Sequence, residues 1–236
     1  MARIAILAYE KYITWQMQPT QKAALLIKSF FGIQYMQKTI ESINEIEKDI
    51  FKKLADIEGQ SIIISIDGKD GSGKSHLALC LCCRNENFIY FDLDTHYWSS
   101  KKLPYVENID YEILKNNIHN TLSDNEIVVI DGVCMLSILE KLSLNPTIAI
   151  YIKKVNDSGW WIDGKEFNYD LDLEEVFENK REVSRKWSEL EGFDQNRDLK
   201  SVTDIDISYE IIRYHFRHKP DKNADIIYEL ISKPSA

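Results

Sequence analysis

Apolar residues recur every three or four positions between Met36 and Ile57, with charged residues between them, until Gly59 ends the pattern. This spacing predicts an amphipathic helix. We favour a helix that packs on its own domain, because a single apolar stripe has to be covered; a helix that binds a partner is the alternative. We therefore predict a helical N-terminal extension over residues 1–59, with homo-oligomerisation through this helix left open. The stripe consists of Met36, Ile40, Ile43, Ile46, Ile50, Leu54 and Ile57.

From Gln60 onward, short apolar runs alternate with stretches of helical periodicity. Runs that are apolar almost throughout are typical of strands covered on both faces, and their alternation with helices indicates a parallel sheet. The pattern predicts an α/β fold, a three-layer sandwich around a mainly five-stranded parallel sheet. Five runs have the length of strands: Ser61–Ile66, Asn87–Leu93, Glu126–Ile130, Thr147–Ile152 and Ala224–Leu230.

The first run leads directly into GKDGSGKS, residues Gly68–Ser75, which fits G-x-x-x-x-G-K-[ST], and an apolar helical stretch follows. In such a loop, glycines let backbone N–H groups turn toward phosphates, and the helix N-terminus adds the positive end of its dipole. A strand before the motif and a helix after it favour a phosphate-binding loop, or P-loop, over an ordinary glycine turn. The predicted fold is therefore of the P-loop NTPase type, with ATP and Mg²⁺ as cofactors.

Individual roles follow from the chemistry of P-loops. The Lys74 ammonium is predicted to reach the β and γ phosphates, and the Ser75 hydroxyl to bind Mg²⁺. Asp131 ends the third apolar run and is predicted to complete the metal site with Ser75; a solvated aspartate in a turn is the alternative. The predicted nucleotide-binding residues are Gly68, Asp70, Gly71, Ser72, Gly73, Lys74, Ser75 and His76.

Two carboxylates lie at the end of the second run, which we expect to lie close to the P-loop strand. Either Asp92 or Asp94 could accept the proton of a hydroxyl that attacks the γ phosphate. Both would lie on the same side of a strand, so the alternation along the strand does not choose between them.

Four stretches together resemble the uridine kinase-like P-loop kinases, a family similar to phosphoribulokinase. They are IDGKDGSGKS at residues 66–75, DTHY at 94–97, VVIDGV at 128–133 and YHFRHKPDKNADIIYE at 214–229. The resemblance covers roughly residues 61–153 and 208–230. It implies that Asp94 supplies the catalytic base, that Asp131 is the acidic residue after the third strand, and that an arginine-bearing lid lies at about residues 156–200.

The lid begins with a polar segment, Asn156–Asp172, that we expect to be a mobile loop leading into a charged helix. Arg181 and Arg185 lie one turn apart on that helix and would share a face. Arginines in this position could offset the charge of a transferring phosphoryl group, so both are catalytic candidates; a solvated helix face rich in glutamate is the alternative.

Two departures from the family pattern bear on the acceptor. Residues 1–59 have no counterpart in it, and the Tyr-Asp-Phe and His-Ser-Arg stretch by which true uridine kinases hold the pyrimidine is missing. Uridine itself is therefore not specified. Tyr97 and Trp98, with Tyr105 as a further candidate, are the aromatic residues nearest the acceptor strand and are predicted to contact the substrate. For Trp98, packing under the lid is the alternative.

Charge and composition exclude several classes of protein. A net charge of −9 repels a nucleic-acid backbone. The longest apolar stretch near the start, Ala23–Ile33, is interrupted by Lys28 and is too short to span a membrane, and Met1–Tyr9 does not have the pattern of a leader. The four cysteines fit neither paired disulfides nor a zinc site and predict buried thiols in a reducing compartment. We expect a cytoplasmic protein that binds neither nucleic acid nor membrane.

The sequence therefore predicts a P-loop kinase domain over residues 60–236 that transfers the γ-phosphoryl group of ATP to a hydroxyl of a nucleoside or similar small metabolite. The predicted catalytic residues are Lys74, Asp94, Arg181 and Arg185. The alternative is a regulatory or switch-type P-loop NTPase that acts on a partner protein through its N-terminal helix. A kinase needs its acceptor carboxylate, whereas a switch needs the helix.

Overall fold

The computed structural model describes residues 33–55, 57, 61–98, 102–124, 126–156, 158–191 and 207–231, with side chains from residue 43 in the first helix and up to residue 186 in the fifth. The strands are β1 (Ile63–Gly68), β2 (Phe88–Asp92), β3 (Ile127–Asp131), β4 (Ile148–Val155) and β5 (Ile226–Ile231). The helices are α1 (Ile33–Leu54), α2 (Lys74–Arg84), α3 (Tyr111–Ser123), α4 (Met135–Leu142), α5 (Leu173–Glu191), α6 (Ile207–His218) and α7 (Pro220–Asn223). A π-helical turn, Leu93–Tyr97, and a 3₁₀ turn, Val106–Asn108, lie between β2 and α3.

The five strands form one parallel sheet in the order β2-β3-β1-β4-β5. The central strand, β1, has Ile64 opposite Val129 of β3 and Ile148 of β4. All residues of β1 are buried, as expected for a strand covered on both faces. The predicted α/β fold with a five-stranded parallel sheet is confirmed. Because β3 separates β2 from β1, the strand that ends in Asp92 is not an immediate neighbour of the P-loop strand, although both strands end at the same edge.

Apolar side chains form one cluster on each face of the sheet. The first joins the sheet to α3, α4 and α6 and includes Leu114 and Ile138. The second joins the sheet to α1 and α2 and includes Ile50 and Leu81. The sheet is therefore the middle of three layers, as predicted.

The first helix buries its apolar stripe against its own domain. Its described isoleucines lie in the same cluster as α2, with Ile50 at 0% exposure. An ion pair of 2.7 Å between Glu47 and Arg84 attaches α1 to the end of α2. The favoured interpretation, a helix that packs on its own domain, is confirmed for Ile43, Ile46 and Ile50. Homo-oligomerisation through this helix stays a prediction. Residues 1–32 lie outside the described residues, and the division of the chain at residue 59 stays a prediction.

The segment expected to be a mobile loop is irregular but packed. Phe167 is buried and stacks on His215 of α6 with 3.8 Å between the ring centroids. Trp161 pairs with Val155 in an isolated antiparallel bridge and lies against Phe167. Its aromatic side chains therefore attach part of the segment to the core, and the expected mobility stays a prediction.

None of the helices in the described part of the chain is both long and apolar enough to cross a membrane. The four cysteines are free thiols, with Cys82 and Cys134 buried. Burial raises the pKa of Cys80 to about 11. The Cys80 thiol is therefore protonated at neutral pH and resembles a small apolar group.

Candidate active site

The loop between β1 and α2 is tight because glycines occupy two demanding positions. Gly73, immediately before α2, has a φ of 95°, which other residues rarely adopt. At Gly68, a Cβ atom would lie 2.7 Å from Ser72 Oγ and 2.9 Å from the carbonyl oxygen of Ile152. The backbone N–H of Ser72 donates to the carbonyl of Lys69 at 3.1 Å. Together these features produce the compact turn that a phosphate-binding loop requires.

Lys74 spans this loop. Its side chain is buried, and Nζ donates to the carbonyl oxygen of Lys69 at 3.0 Å. The hydroxyl of Ser72 is buried and has no hydrogen-bond partner among the described residues. A buried ammonium and an unpaired hydroxyl at the start of an 11-residue helix are groups that an anion satisfies. The loop therefore fits the phosphates of a nucleotide.

Asp131, at the end of β3, lies beside the first turn of α2. Ser75 Oγ donates to its Oδ2 at 2.8 Å, and the Tyr90 hydroxyl donates to its Oδ1 at 2.7 Å. Burial raises the pKa of Asp131 to about 6, although these two hydrogen bonds lower it. A hydroxyl beside a carboxylate offers the oxygen ligands that Mg²⁺ takes, so the two predicted residues fit that ion. The contact of Tyr90 was missed because a tyrosine in an apolar strand resembles an ordinary core residue.

A further carboxylate, Asp67, is buried at the end of β1. Its Oδ1 accepts from the backbone N–H of Gly68 at 2.7 Å, and its Oδ2 accepts from the hydroxyl of Tyr214 on α6. Burial raises the pKa of Asp67 to about 6, while both hydrogen bonds and the charge of Lys74 lower it. Asp67 therefore joins the start of the P-loop to α6. No role was predicted for this contact, because nothing in the sequence pairs Asp67 with Tyr214.

The two carboxylates after β2 have different partners. Asp92 Oδ1 accepts the backbone N–H of Thr95 at 2.9 Å and caps the turn Leu93–Tyr97. Asp94 Oδ1 accepts the hydroxyl of Tyr105 at 2.7 Å. Asp92 therefore stabilises the local backbone, and the choice of Asp94 as the catalytic carboxylate stays a prediction.

The aromatic residues predicted to contact the acceptor pack differently. Tyr97 is buried and stacks on Phe91 with 6.1 Å between centroids, and Asn117 donates to its hydroxyl at 3.1 Å. Trp98 is half-buried and packs edge-on against Tyr105, with 5.0 Å between centroids. The turn directs Tyr97 back onto β2, which leaves little of its ring for a ligand. Substrate contact stays a prediction for both residues.

The two predicted lid arginines have different environments. Arg181 is 8% exposed and pairs with two glutamates of its own helix, Glu174 and Glu178, the latter at 3.3 Å. Arg185 is exposed. The acidic neighbours hold Arg181 along the helix. A role over the phosphates stays a prediction for both arginines.

An ion-pair network joins the P-loop to the start of the predicted lid. Lys69 Nζ lies 2.8 Å from Asp163 Oδ1 and 2.7 Å from Glu166 Oε2. Glu166 also lies 3.6 Å from Lys180 of α5. Burial lowers the pKa of Lys69, but the two carboxylates outweigh burial and raise it. This network was missed because its members are far apart in sequence.

The other predicted nucleotide-binding residues lie on the outside of the loop. Asp70 and Gly71 are exposed at its tip. His76 is exposed on the first turn of α2, with Nε2 3.7 Å from Cys80 Sγ. Contact of these three residues with a nucleotide stays a prediction.

A cleft of about 470 Å³ opens between α4, α6 and the turn Val106–Asn108. Its wall includes Tyr214, the partner of Asp67, and Glu210 of the same helix. The volume is in the range of small-molecule sites. Its other polar side chains carry both signs of charge: Glu107, Glu140, Lys141, Arg213 and Arg217.

The sheet order and the loop after β1 define the chain as an α/β protein of the P-loop type. It is similar to a solved structure described as a possible uridine kinase from Bacillus stearothermophilus, with 18% sequence identity and a TM-score of 0.44 over 81% of this chain and 99% of the other. No protein-family model and no curated protein matches the chain. An identity of 18% and a TM-score of 0.44 carry no argument, so the function has to be argued from the site.

Proposed function

We propose that the chain is an ATP- and Mg²⁺-dependent kinase that transfers the γ-phosphoryl group to a hydroxyl of a nucleoside or similar small metabolite. One observation carries this proposal: the P-loop, Asp131 and Asp94 lie at the carboxyl ends of β1, β3 and β2, which end at the same edge of the parallel sheet. The first two suit a nucleotide and its metal, and the third suits a hydroxyl nucleophile.

The nucleotide side of this site would hold ATP through the P-loop. Lys74 would exchange its hydrogen bond to the Lys69 carbonyl for the β and γ phosphates, and the buried hydroxyl of Ser72 would gain an acceptor. Ser75 and Asp131 would hold Mg²⁺, which neutralises phosphate charge when bound. Because the pKa of Asp131 is about 6, its carboxyl is ionised at neutral pH and can serve as a ligand.

On the acceptor side, Asp94 would act as general base. It would accept the proton of the acceptor hydroxyl while the oxygen forms a bond to the γ phosphorus and the bond to the bridging oxygen of ADP breaks. The hydrogen bond from Tyr105 orients the Asp94 carboxylate. Positioning and charge neutralisation would supply most of the rate enhancement.

Acceptor-dependent turnover of the purified chain tests the proposal. ADP formation is measured with ATP and Mg²⁺ against a panel of nucleosides, nucleotides and sugars, and the phosphorylated product is identified by mass. We expect at least one compound to stimulate ADP formation and to gain one phosphoryl group. ATP hydrolysis that no acceptor stimulates would contradict a kinase.

The switch-type alternative gains no specific support. Its interaction element was the apolar stripe of α1, and Ile43, Ile46 and Ile50 of that stripe are buried against α2 and the sheet.

A further inference from the structure

Two side chains of α6, one helical turn apart, contact the two sides of the candidate site. Tyr214 donates its hydroxyl to Asp67 at the end of the P-loop strand. Glu210 accepts two consecutive backbone N–H groups on the acceptor side, from Tyr105 to Oε2 at 2.6 Å and from Val106 to Oε1 at 2.9 Å. Residues four apart lie on the same face of a helix. One face of α6 therefore spans the distance between the P-loop and the acceptor side.

The Glu210 contact fixes both the position and the direction of the backbone at Tyr105. Each carboxylate oxygen takes one N–H donor, and hydrogen bonds from backbone N–H groups to a charged carboxylate are shorter and stronger than neutral ones. The two N–H groups belong to the irregular connection between β2 and α3, where no strand neighbour supplies acceptors.

The side chain of Tyr105 extends this contact to Asp94. The ring is 0% exposed and packs against Trp98, so it has little freedom to move. Its hydroxyl donates to Asp94 Oδ1 at 2.7 Å. A Cβ atom on Gly132 would lie 3.1 Å from the same hydroxyl oxygen, so the glycine leaves room for the hydroxyl at the end of β3.

We propose that Glu210 is a positioning residue for phosphoryl transfer and that it acts through Tyr105 on Asp94. This inference rests on the proposed kinase function. Because α6 also holds Asp67, the helix sets the distance between the P-loop and the base, and small errors in such a distance lower reaction rates strongly.

Double-mutant cycles test whether Glu210 acts through Tyr105 on Asp94. Tyr105→Phe removes the hydroxyl and keeps the ring, and Glu210→Gln keeps the shape and removes one acceptor; each is made alone and together with Asp94→Asn. We expect each single variant to lower kcat about tenfold, with KM for ATP unchanged, because a misplaced base affects the chemical step. In the Asp94→Asn background, neither substitution should lower kcat further, because the group on which both act is already gone.

Asp225→Asn is the matched control. The Asp225 carboxylate also accepts a backbone N–H, that of Ala149 at 2.9 Å, but at the opposite edge of the sheet. Asp225→Asn should lower Tm and leave kcat unchanged. The inference is overturned if Glu210→Gln behaves like this control, or if its loss of kcat adds to that of Asp94→Asn. Wild-type protein that phosphorylates no acceptor would remove the kinase proposal and this inference together, whereas transfer with additive losses removes the inference alone.

Discussion

The two sides of the candidate site are built differently. On the nucleotide side, one continuous stretch from Asp67 to His76 supplies most of the groups, and Asp131 joins them from the neighbouring strand. On the acceptor side, Asp94 and Tyr105 lie in the connection between β2 and α3, and Glu210 reaches this connection from α6, which is far away in sequence. The phosphate site therefore depends on local backbone geometry, whereas the position of the base depends on tertiary contacts.

Because the two sides are built differently, substitutions on each side should affect the site in different ways. A substitution in the P-loop removes a group that would touch the reacting phosphates. On the acceptor side, a substitution well away from the base can act through the backbone that carries it. The four predictions that follow probe this contrast, beginning with the largest expected effect.

Lys74→Ala should lower turnover by about 10³-fold or more, because it removes a cation from the transferring phosphoryl group. It should also weaken ATP binding without unfolding the protein, because the Lys74 ammonium bonds a loop carbonyl and contributes little to the core. Steady-state kinetics, nucleotide titration and Tm are measured on the same preparation. Phosphoryl transfer at the wild-type rate would refute the assignment of the P-loop.

Asp94→Asn should lower kcat by about 10²-fold to 10³-fold and leave KM for ATP nearly unchanged, because the base acts on the acceptor. Asp92→Asn is its control: it weakens the cap of the turn Leu93–Tyr97 and should lower Tm with a small effect on kcat. If Asp92→Asn showed the large loss and Asp94→Asn none, the choice of carboxylate would be wrong.

The raised pKa values of Asp67 and Asp131 predict that stability falls as pH rises. Each carboxyl has an ordinary value of 3.8 and a value of about 6 in the folded protein, so the folded state binds more protons between these values. The stabilisation of the folded state that comes from each protonated carboxyl is fully present below pH 3.8. It is lost as pH rises through about 6 and the carboxyl ionises. A shift of about two units corresponds to at most about 3 kcal/mol for each group.

Asp131→Asn tests this dependence on the nucleotide side. It should flatten the fall in the free energy of unfolding, measured with urea from pH 4 to pH 7, and raise Tm at pH 7, because a buried charge is removed. The same variant should lose Mg²⁺-dependent turnover. A lower Tm at pH 7 would show that the ionised carboxylate stabilises the fold.

Trp98→Ala should have the smallest effect, a rise of about fivefold in KM for the acceptor with little change in kcat, if the indole stacks on the acceptor. If Trp98 serves only to pack on Tyr105, Tm falls and KM does not change. Tyr97→Phe is the control, because it keeps a buried ring and loses only the hydrogen bond from Asn117. It should leave KM unchanged.

The contrast between the two sides also explains how far the sequence could predict the site. The P-loop was predictable because its glycines, Lys74 and Ser75 are consecutive and their spacing is set by phosphate geometry. Asp131 was predictable from its place after a buried strand. Asp94 was chosen over Asp92 by resemblance. In the structure Asp92 caps a turn, and the catalytic role of Asp94 stays a prediction.

The other contacts of the candidate site could be found only from the three-dimensional structure. Glu210 occupies a polar position of an amphipathic helix, where a solvated side chain is the usual expectation. Its two N–H partners have no signature in sequence, because any residue except proline supplies one. Arg181 was chosen for its charge, but the glutamates one and two turns before it also bind that charge. A contact between residues distant in sequence decides the case of Glu210. For Arg181, the glutamates are visible in the sequence, but the sequence does not show that the arginine pairs with them.

The position of α6 near the end of the described chain has a consequence for how the protein is made. Synthesis on the ribosome proceeds from the N-terminus, and domains begin to form as their segments emerge. The segments from β1 to β4 carry the P-loop, Asp131 and Asp94, but Glu210 and Tyr214 emerge only with α6, shortly before the last strand. In a nascent chain, the P-loop can therefore form before α6, which contacts both the P-loop strand and the acceptor side, has been synthesised. In the proposed kinase, the order of synthesis would make the alignment of Asp94 with a nucleotide a late event in maturation.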